Sequence, residues 1–198
     1  MRNNLLIFVV FGCLVILPLF VSDYWTGQLS YYLIYGLFAL SLSLVWGYGG
    51  ILCLGQAIFF GIGAYVMAVV TKGMIAPVPD NFYLGLVFAA GAAAIFAAIL
   101  GSFLFAGKGI SGAYLAIVTL AIAMVLERLM SNWYTLGGYN GLLDIPPINL
   151  GLFGYSLELW DSRPSFYVLW SIAVVIALAL NWLVRSDFGL QLTALRTN

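Results

Sequence analysis

Trp46-Gly47-Tyr48-Gly49-Gly50-Ile51-Leu52-Cys53-Leu54-Gly55-Gln56-Ala57-Ile58-Phe59-Phe60-Gly61-Ile62-Gly63-Ala64-Tyr65 is apolar enough to lie in a membrane, yet it carries six glycines and one amide. Hydrocarbon offers no hydrogen bond to a free N–H or C=O, so a glycine-rich stretch at membrane depth packs against protein or lines a cavity. The stretch belongs inside a helical bundle.

The rest of the chain agrees with that setting. Of 198 residues, 64% are hydrophobic and 7% charged, with a mean hydropathy of +1.10, whereas a soluble domain carries about 25% charged residues. Apolar runs reach the roughly 20 residues a helix needs to cross hydrocarbon, and the short alternating segments of an outer-membrane barrel are missing. The expected class is all-α, a polytopic transmembrane bundle of about six spans. Net charge is zero and no Lys/Arg cluster occurs, which speaks against nucleic acid as a partner. Cys13 and Cys53 lie in apolar runs and read as small hydrophobes. The chain has no histidine, which argues against haem and His-based metal sites, so no cofactor or metal is expected.

The spans are read as Leu5 to Val21, Leu29 to Trp46, Ile51 to Val70, Tyr83 to Phe105, Ala113 to Met130 and Phe166 to Val184. The first is longer than a signal-peptide core and lacks an A-x-A-like cleavage site, so it reads as retained. Connections are short except for residues 131–165, which contain Gly137, Gly138, Gly141, Pro146 and Pro147 with Asp144, Glu158, Asp161 and Arg163. With the N-terminus inside, Arg2, Lys108, Arg185 and Arg196 fall on the cytoplasmic side and Lys72, Arg128 and Arg163 on the other; the basic bias favours that orientation. Residues 131–165 then form an extracytoplasmic loop, and 185–198 begin a cytoplasmic one.

At about 100° per residue, Gly50, Cys53, Ala57, Gly61, Ala64 and Ala68 form one stripe on the third span. All are small, and membrane helices associate through close packing of such residues. Ala90, Ala94, Ala97 and Gly101 on the fourth span form a matching row and a partner for it. Leucine at Gly61 is expected to pry the two apart. Gln56 lies off the stripe on a face with Gly49, Phe60 and Gly63, where it either makes an interhelical hydrogen bond or faces a substrate path.

On the fifth span Glu127 continues a stripe through Ala116, Thr119 and Ala123. Neighbours in sequence do not face each other on a helix, so Glu127 and Arg128 are expected to find separate partners, or to snorkel at the interface. Beyond the sixth span, Ser186 or Asp187 caps a short helix with Phe188, Leu192 and Leu195 on one face and Arg196 nearby. That helix is an interfacial anchor or a docking element for a soluble partner.

Several chemistries are excluded. Gly107-Lys108 is preceded at the required spacing by Ser102 and followed by Gly109, so there is no phosphate-cradling loop. Without histidine there is no Ser/His/Asp set, and no two spans offer paired buried carboxylates. A non-catalytic conduit remains, moved by something else. A membrane scaffold without transport and a channel gated without ATP stay open.

Leu42 to Gly50 followed by Leu54 to Tyr65 resembles the signature of permease subunits of branched-chain amino-acid ABC importers. Gly112-Ala113-Tyr114-Leu115-Ala116-Ile117-Val118-Thr119-Leu120-Ala121 is similar to the family's next block. Leu136-Gly137-Gly138-Tyr139-Asn140-Gly141-Leu142 resembles its T-G-G-x-x-G-L segment, with Leu136 in place of Thr. Leu183 to Arg196 looks like the entry to the loop that docks on the ATPase. The resemblance implies a bacterial inner-membrane importer: this subunit, a second homologous permease, two ATP-binding cassette subunits and an extracytoplasmic substrate-binding protein. It makes Phe188, Leu192, Leu195 and Arg196 the start of the ATPase-docking segment. It also implies a longer subunit, of which residues 1–198 are the N-terminal two-thirds. Permeases for urea and short amides look similar through the same blocks, so substrate stays open between them.

Overall fold

A computed structural model describes residues 12–76, 78–105, 112–151 and 158–197. Among these, six α-helices dominate: α1 (Asp23–Ser43), α2 (Gln56–Thr71), α3 (Phe82–Leu104), α4 (Gly112–Ser131), α5 (Ser162–Arg185) and α6 (Asp187–Thr197). Helix α1 runs on into a π-helical turn, Leu44–Tyr48. With that turn it is long and apolar enough to cross a membrane, as are α3, α4 and α5, whereas α2 is apolar but only 16 residues long. The protein is an all-α polytopic membrane protein.

Much of the expected first span lies outside the described residues; residues 12–16 are helical and a 3-10 turn, Leu17–Leu19, follows around the buried Pro18. The third span begins five residues later than its apolar run. Gly50 has φ +67°, a left-handed conformation that glycine adopts without strain, and residues 51–53 are not helical. The connection with Lys108, residues 106–111, lies outside the described residues.

The chain divides into two compact units, Met1–Gly49 with Leu157–Asn198, and Gly50–Ser156. In the first, α1 packs along α5. Thr26, Phe166 and Ala173 are fully buried, and Gly27 faces Ser162, whose hydroxyl a Cβ there would meet at an ordinary 3.8 Å. Tyr167 Oη donates to the Val15 carbonyl at 3.3 Å. The Arg163–Asp23 ion pair closes the same end at 3.0 Å.

In the second unit α2 and α3 form an antiparallel pair. Asn81 caps α3, its Oδ1 accepting from the Tyr83 N–H at 2.8 Å and the Leu84 N–H at 3.4 Å. The contact is large against small. Met67 and Thr71 lie over Gly85, Gly63 faces the Ala89 carbonyl, and Phe59 meets Phe96 edge-on at 6.2 Å. Helix α4 lies along α2, and the segment after it is tied back: Lys72 Nζ donates to the Leu143 carbonyl, and Tyr83 Oη to Leu150 O at 3.2 Å. Large apolar side chains such as Val87, Ile95, Ile99 and Phe103 remain exposed along α3. That surface suits lipid or a protein neighbour within the membrane.

Candidate functional site

The site is built on the joint between α2 and α4. Gly55 is the residue before α2 and is buried. A Cβ there would stand 2.6 Å from the Thr119 carbonyl oxygen and 3.0 Å from the Thr119 Cβ. Thr119 is 1% exposed, and its hydroxyl donates inside α4 to the Ala116 carbonyl at 3.0 Å. Only glycine permits this approach, because the obstacle is backbone. The motif glycine and the motif threonine are therefore two halves of one contact.

Beyond the joint the two helices leave a cleft of about 500 Å³, all of it in the second unit. Ala57, Ile58, Gly61, Ile62, Tyr65, Val66 and Val69 of α2 form one wall, and Ala123, Leu126 and Met130 of α4 form the other. Ile75, Leu136, Glu127 and Ser131 complete the lining. The row predicted on the fifth span thus runs from the buried Ala116 and Thr119 into the cleft at Ala123 and Glu127. Glu127 Oε1 accepts from the Ser131 hydroxyl at 3.0 Å, and its Oε2 lies 3.7 Å from Arg128 Nε. The expectation of separate partners is overturned here. Both side chains are long and well exposed at the helix end, so they swing together across its outer surface, in a pair worth about 0–1 kcal/mol.

The small-residue stripe is distributed differently from its helical-wheel reading. Gly50 and Cys53 precede α2, because the left-handed Gly50 breaks the helix there. Ala57 and Gly61 line the cleft, and a Cβ on Gly61 would meet nothing within 4 Å among the described residues. Ala64 is exposed and Ala68 buried. The row expected to receive them is largely outside the α2–α3 contact: Ala90, Ala94 and Ala97 are exposed, and a Cβ on Gly101 would meet nothing within 4 Å among the described residues. The contact uses the adjacent faces because the bulk of Met67 and Phe59 needs the room that Gly85 and the Phe96 edge provide.

Of the other polar-face residues, Gln56 opens α2 with its carboxamide oxygen shielded from solvent. Phe60 is 52% exposed, and Gly63 turns toward α3. Gly49 belongs to the other unit and ends the π-helical turn, its N–H donating to the Leu44 carbonyl at 3.4 Å. Those four positions share a face only if the helix runs unbroken from 49 to 63, and it does not.

The glycine-rich loop has a clear conformational basis. Gly137, Gly138 and Gly141 all have positive φ, and a Cβ on Gly137 would stand 2.0 Å from the Gly141 carbonyl oxygen. The Gly138 N–H donates to the Trp133 carbonyl at 3.1 Å, folding the loop back onto the end of α4. Nothing larger than glycine fits at Gly137.

At the end of α5 the Ser186 hydroxyl donates back to the Leu183 carbonyl at 2.6 Å, so this serine closes α5 with its side chain. Helix α6 then starts at Asp187, as expected. A Cβ on the buried Gly189 would stand 2.1 Å from the Val184 carbonyl oxygen, which fixes a sharp corner. Phe188 is exposed and Leu192 half-buried. Leu195 and Arg196 lie in the helix, with their side chains outside the described residues. Among the described residues no cluster of three His, Cys, Asp or Glu side chains is placed to hold a metal ion.

Residues 25–198 match the family described as branched-chain amino acid transport system / permease component. The chain is 32% identical, over 187 residues, to the high-affinity branched-chain amino acid transport system permease protein LivM of Escherichia coli K12, and 33% identical to LivM of Salmonella typhimurium LT2. Each comparison covers 83% of this chain and 42% of the relative, so the chain spans well under half the length of these curated relatives. No solved structure matches it. With the match running from residue 25 to residue 198, and with the glycine joint, the glycine loop and the α5–α6 corner all falling inside it, the chain belongs to the branched-chain amino acid transport permease family.

Proposed function

We propose that this chain is the membrane-spanning part, or a portion of it, of a permease subunit in an ATP-driven importer of branched-chain amino acids. The observation that carries this reading is the family match over residues 25–198, together with the branched-chain amino acid transport role that the LivM relatives' names state. The chain sits in the bacterial inner membrane with its N-terminus in the cytoplasm. It works with a second, homologous permease, two ATPase subunits and an extracytoplasmic binding protein that delivers the amino acid.

In this reading residues 131–165 face outward and residues 185–198 start the coupling segment. The α5–α6 corner supports the second assignment: Gly189 locks the direction in which α6 leaves the membrane helix, and Phe188 stands exposed on it. Phe188, Leu192, Leu195 and Arg196 are its ATPase-facing set. Gln56, with Phe60 and Gly63, borders the path. Ala64, Ala90, Ala94, Ala97 and Gly101 offer small-residue surface to the companion permease.

The test is deletion of the encoding gene in its own host, with uptake of radiolabelled leucine and of urea measured before and after complementation. Loss and recovery of leucine uptake alone supports the proposal. Unchanged leucine uptake with loss of urea uptake would replace it with an amide permease.

A further inference from the structure

Helix α1 carries polar side chains at a depth where lipid has no use for them. With its π-helical turn it covers the 26 residues Asp23–Tyr48. Asp23, paired with Arg163 at 3.0 Å, marks one end, and Trp25 near that end and Trp46 near the other are both exposed, as interfacial aromatics are. At about 1.5 Å per residue those two positions stand about 32 Å apart, close to the thickness of the hydrocarbon. Tyr31 and Tyr35 then lie about 9 and 15 Å inside it, and they are 60% and 65% exposed. Gln28 precedes them at helical spacing, so the three share one face. On the other side of the helix Leu29, Leu33 and Leu37 line an apolar cavity of about 280 Å³ with Ala173 of α5. Each of those leucines is two residues, about 200°, from a tyrosine of the polar face, so that face points away from α5.

Short hydroxyls on α1 bond to their own helix: Ser30 Oγ donates to the Thr26 carbonyl at 3.2 Å and Ser41 Oγ to the Phe38 carbonyl at 2.8 Å. A phenol holds its hydroxyl at the far end of a ring, away from its own backbone, and among the described residues no hydrogen bond reaches the side chains of Gln28, Tyr31 or Tyr35. Acyl chains offer no acceptor, and a polar group left unpaired in hydrocarbon is costly. A neighbouring transmembrane helix with polar groups at the same depth removes that cost, and such interhelical hydrogen bonds hold membrane helices together. Of the partners proposed above, the second permease is the one that lies in the bilayer. We infer that the Gln28, Tyr31 and Tyr35 face of α1 is a contact with the companion permease, made by hydrogen bonds to polar groups on one of its helices. It differs in chemistry from the small-residue surface of the other unit, which works by close approach alone.

This inference rests on the reading of the chain as one of two permeases in an importer, and its test separates the two. In the assembled transporter in its native membrane, Tyr35 and, separately, Leu33 are replaced by the photoreactive p-benzoylphenylalanine, and the adducts formed on irradiation are identified by peptide mass spectrometry of the purified complex. Position 35 is expected to label the companion permease, and position 33 to label α5 of its own chain. Tyr31→Phe and Tyr35→Phe each remove one hydroxyl and are expected to weaken association with the companion permease about threefold, the worth of an average interhelical hydrogen bond in the membrane, and about eightfold together. Tyr24→Phe, on the same face at the wetted end of α1, is expected to leave association unchanged. Adducts from position 35 on lipid alone or within the same chain, in a transporter that still takes up leucine, would overturn the contact and leave the function standing. Reaction of Tyr35→Cys with a membrane-impermeant thiol reagent, with Cys13 and Cys53 replaced by serine, would overturn it in favour of a water-filled path. A complex that gives the expected adduct but takes up no leucine would sink the functional reading and keep the contact.

Discussion

Replacing Gly55 by alanine tests the joint on which the second unit is built. The added Cβ would stand 2.6 Å from the Thr119 carbonyl oxygen and 3.1 Å from its carbonyl carbon. Ordinary contact begins near 3.4 Å, so the start of α2 and the middle of α4 must part by about 0.8 Å. Neither side yields easily. The obstacle is helix backbone, and Thr119 is 1% exposed, so its retreat displaces packed neighbours. Overpacking of this kind costs about 1–3 kcal/mol. In a chain of this size each kcal/mol lowers the melting temperature by about 2–4 °C, so a fall of roughly 2–12 °C is expected. Gly61→Ala is the matched control: it adds the same methyl where nothing lies within 4 Å, and alanine is favoured over glycine in a helix by about 0.5–1 kcal/mol. Thr119→Ala should not rescue Gly55→Ala, since the carbonyl oxygen remains. The assay is thermal unfolding in one detergent, followed by circular dichroism. Equal melting of Gly55→Ala and Gly61→Ala, or full rescue by Thr119→Ala, would refute the joint as described.

Three further outcomes follow from the same geometry. Gly189→Ala pushes a Cβ against the Val184 carbonyl oxygen from 2.1 Å; it is expected to redirect α6 and to lower co-purification of the ATPase about tenfold, a coupling loss of about 1.4 kcal/mol, while membrane insertion holds. Gly137→Ala forces a side chain onto φ +87° and into the Gly141 carbonyl, a strain of at least about 1–2 kcal/mol, so limited proteolysis should cut the segment after α4 sooner than in the wild type; an unchanged digestion rate argues against the loop geometry. Gln56→Leu is expected to reduce uptake more than assembly, because an interhelical hydrogen bond worth about 0.6 kcal/mol accounts for only about a threefold change; equal losses in uptake and in co-purification would make Gln56 a packing residue.

Much of the fold is legible in the residues. Uninterrupted apolar runs locate α1, α3, α4 and α5, because the hydrocarbon thickness imposes a length that composition reveals directly. The short α6 follows from its position after Ser186 and its spaced apolar residues. The row Ala116, Thr119, Ala123 and Glu127 is visible as a stripe in the sequence, and it falls on the α4 face that turns to α2, a pairing the spacing does not state. What was hidden is pairing. A row of small residues announces that something approaches closely, but it does not say what: Gly55 admits a backbone carbonyl, Gly85 admits the Met67 thioether, and a Cβ on Gly61 meets nothing within 4 Å among the described residues. The complementary signal lies in Met67, whose thioether needs a small residue opposite and finds Gly85. The wheel also assumed a helix through Gly50, where a left-handed backbone ends that assumption. Glu127 and Arg128 show a related limit, since helical spacing fixes where side chains start but not where long, solvated ones end.

The most direct test of the account is ATP-dependent accumulation of radiolabelled leucine in proteoliposomes. These would hold the subunit encoded by this gene with its companion permease and ATPases, and be supplied with the extracytoplasmic binding protein. Accumulation is expected to require ATP and to be competed by isoleucine and valine but not by urea. Leucine flux that proceeds without ATP, or none at all from a fully assembled complex, would contradict it.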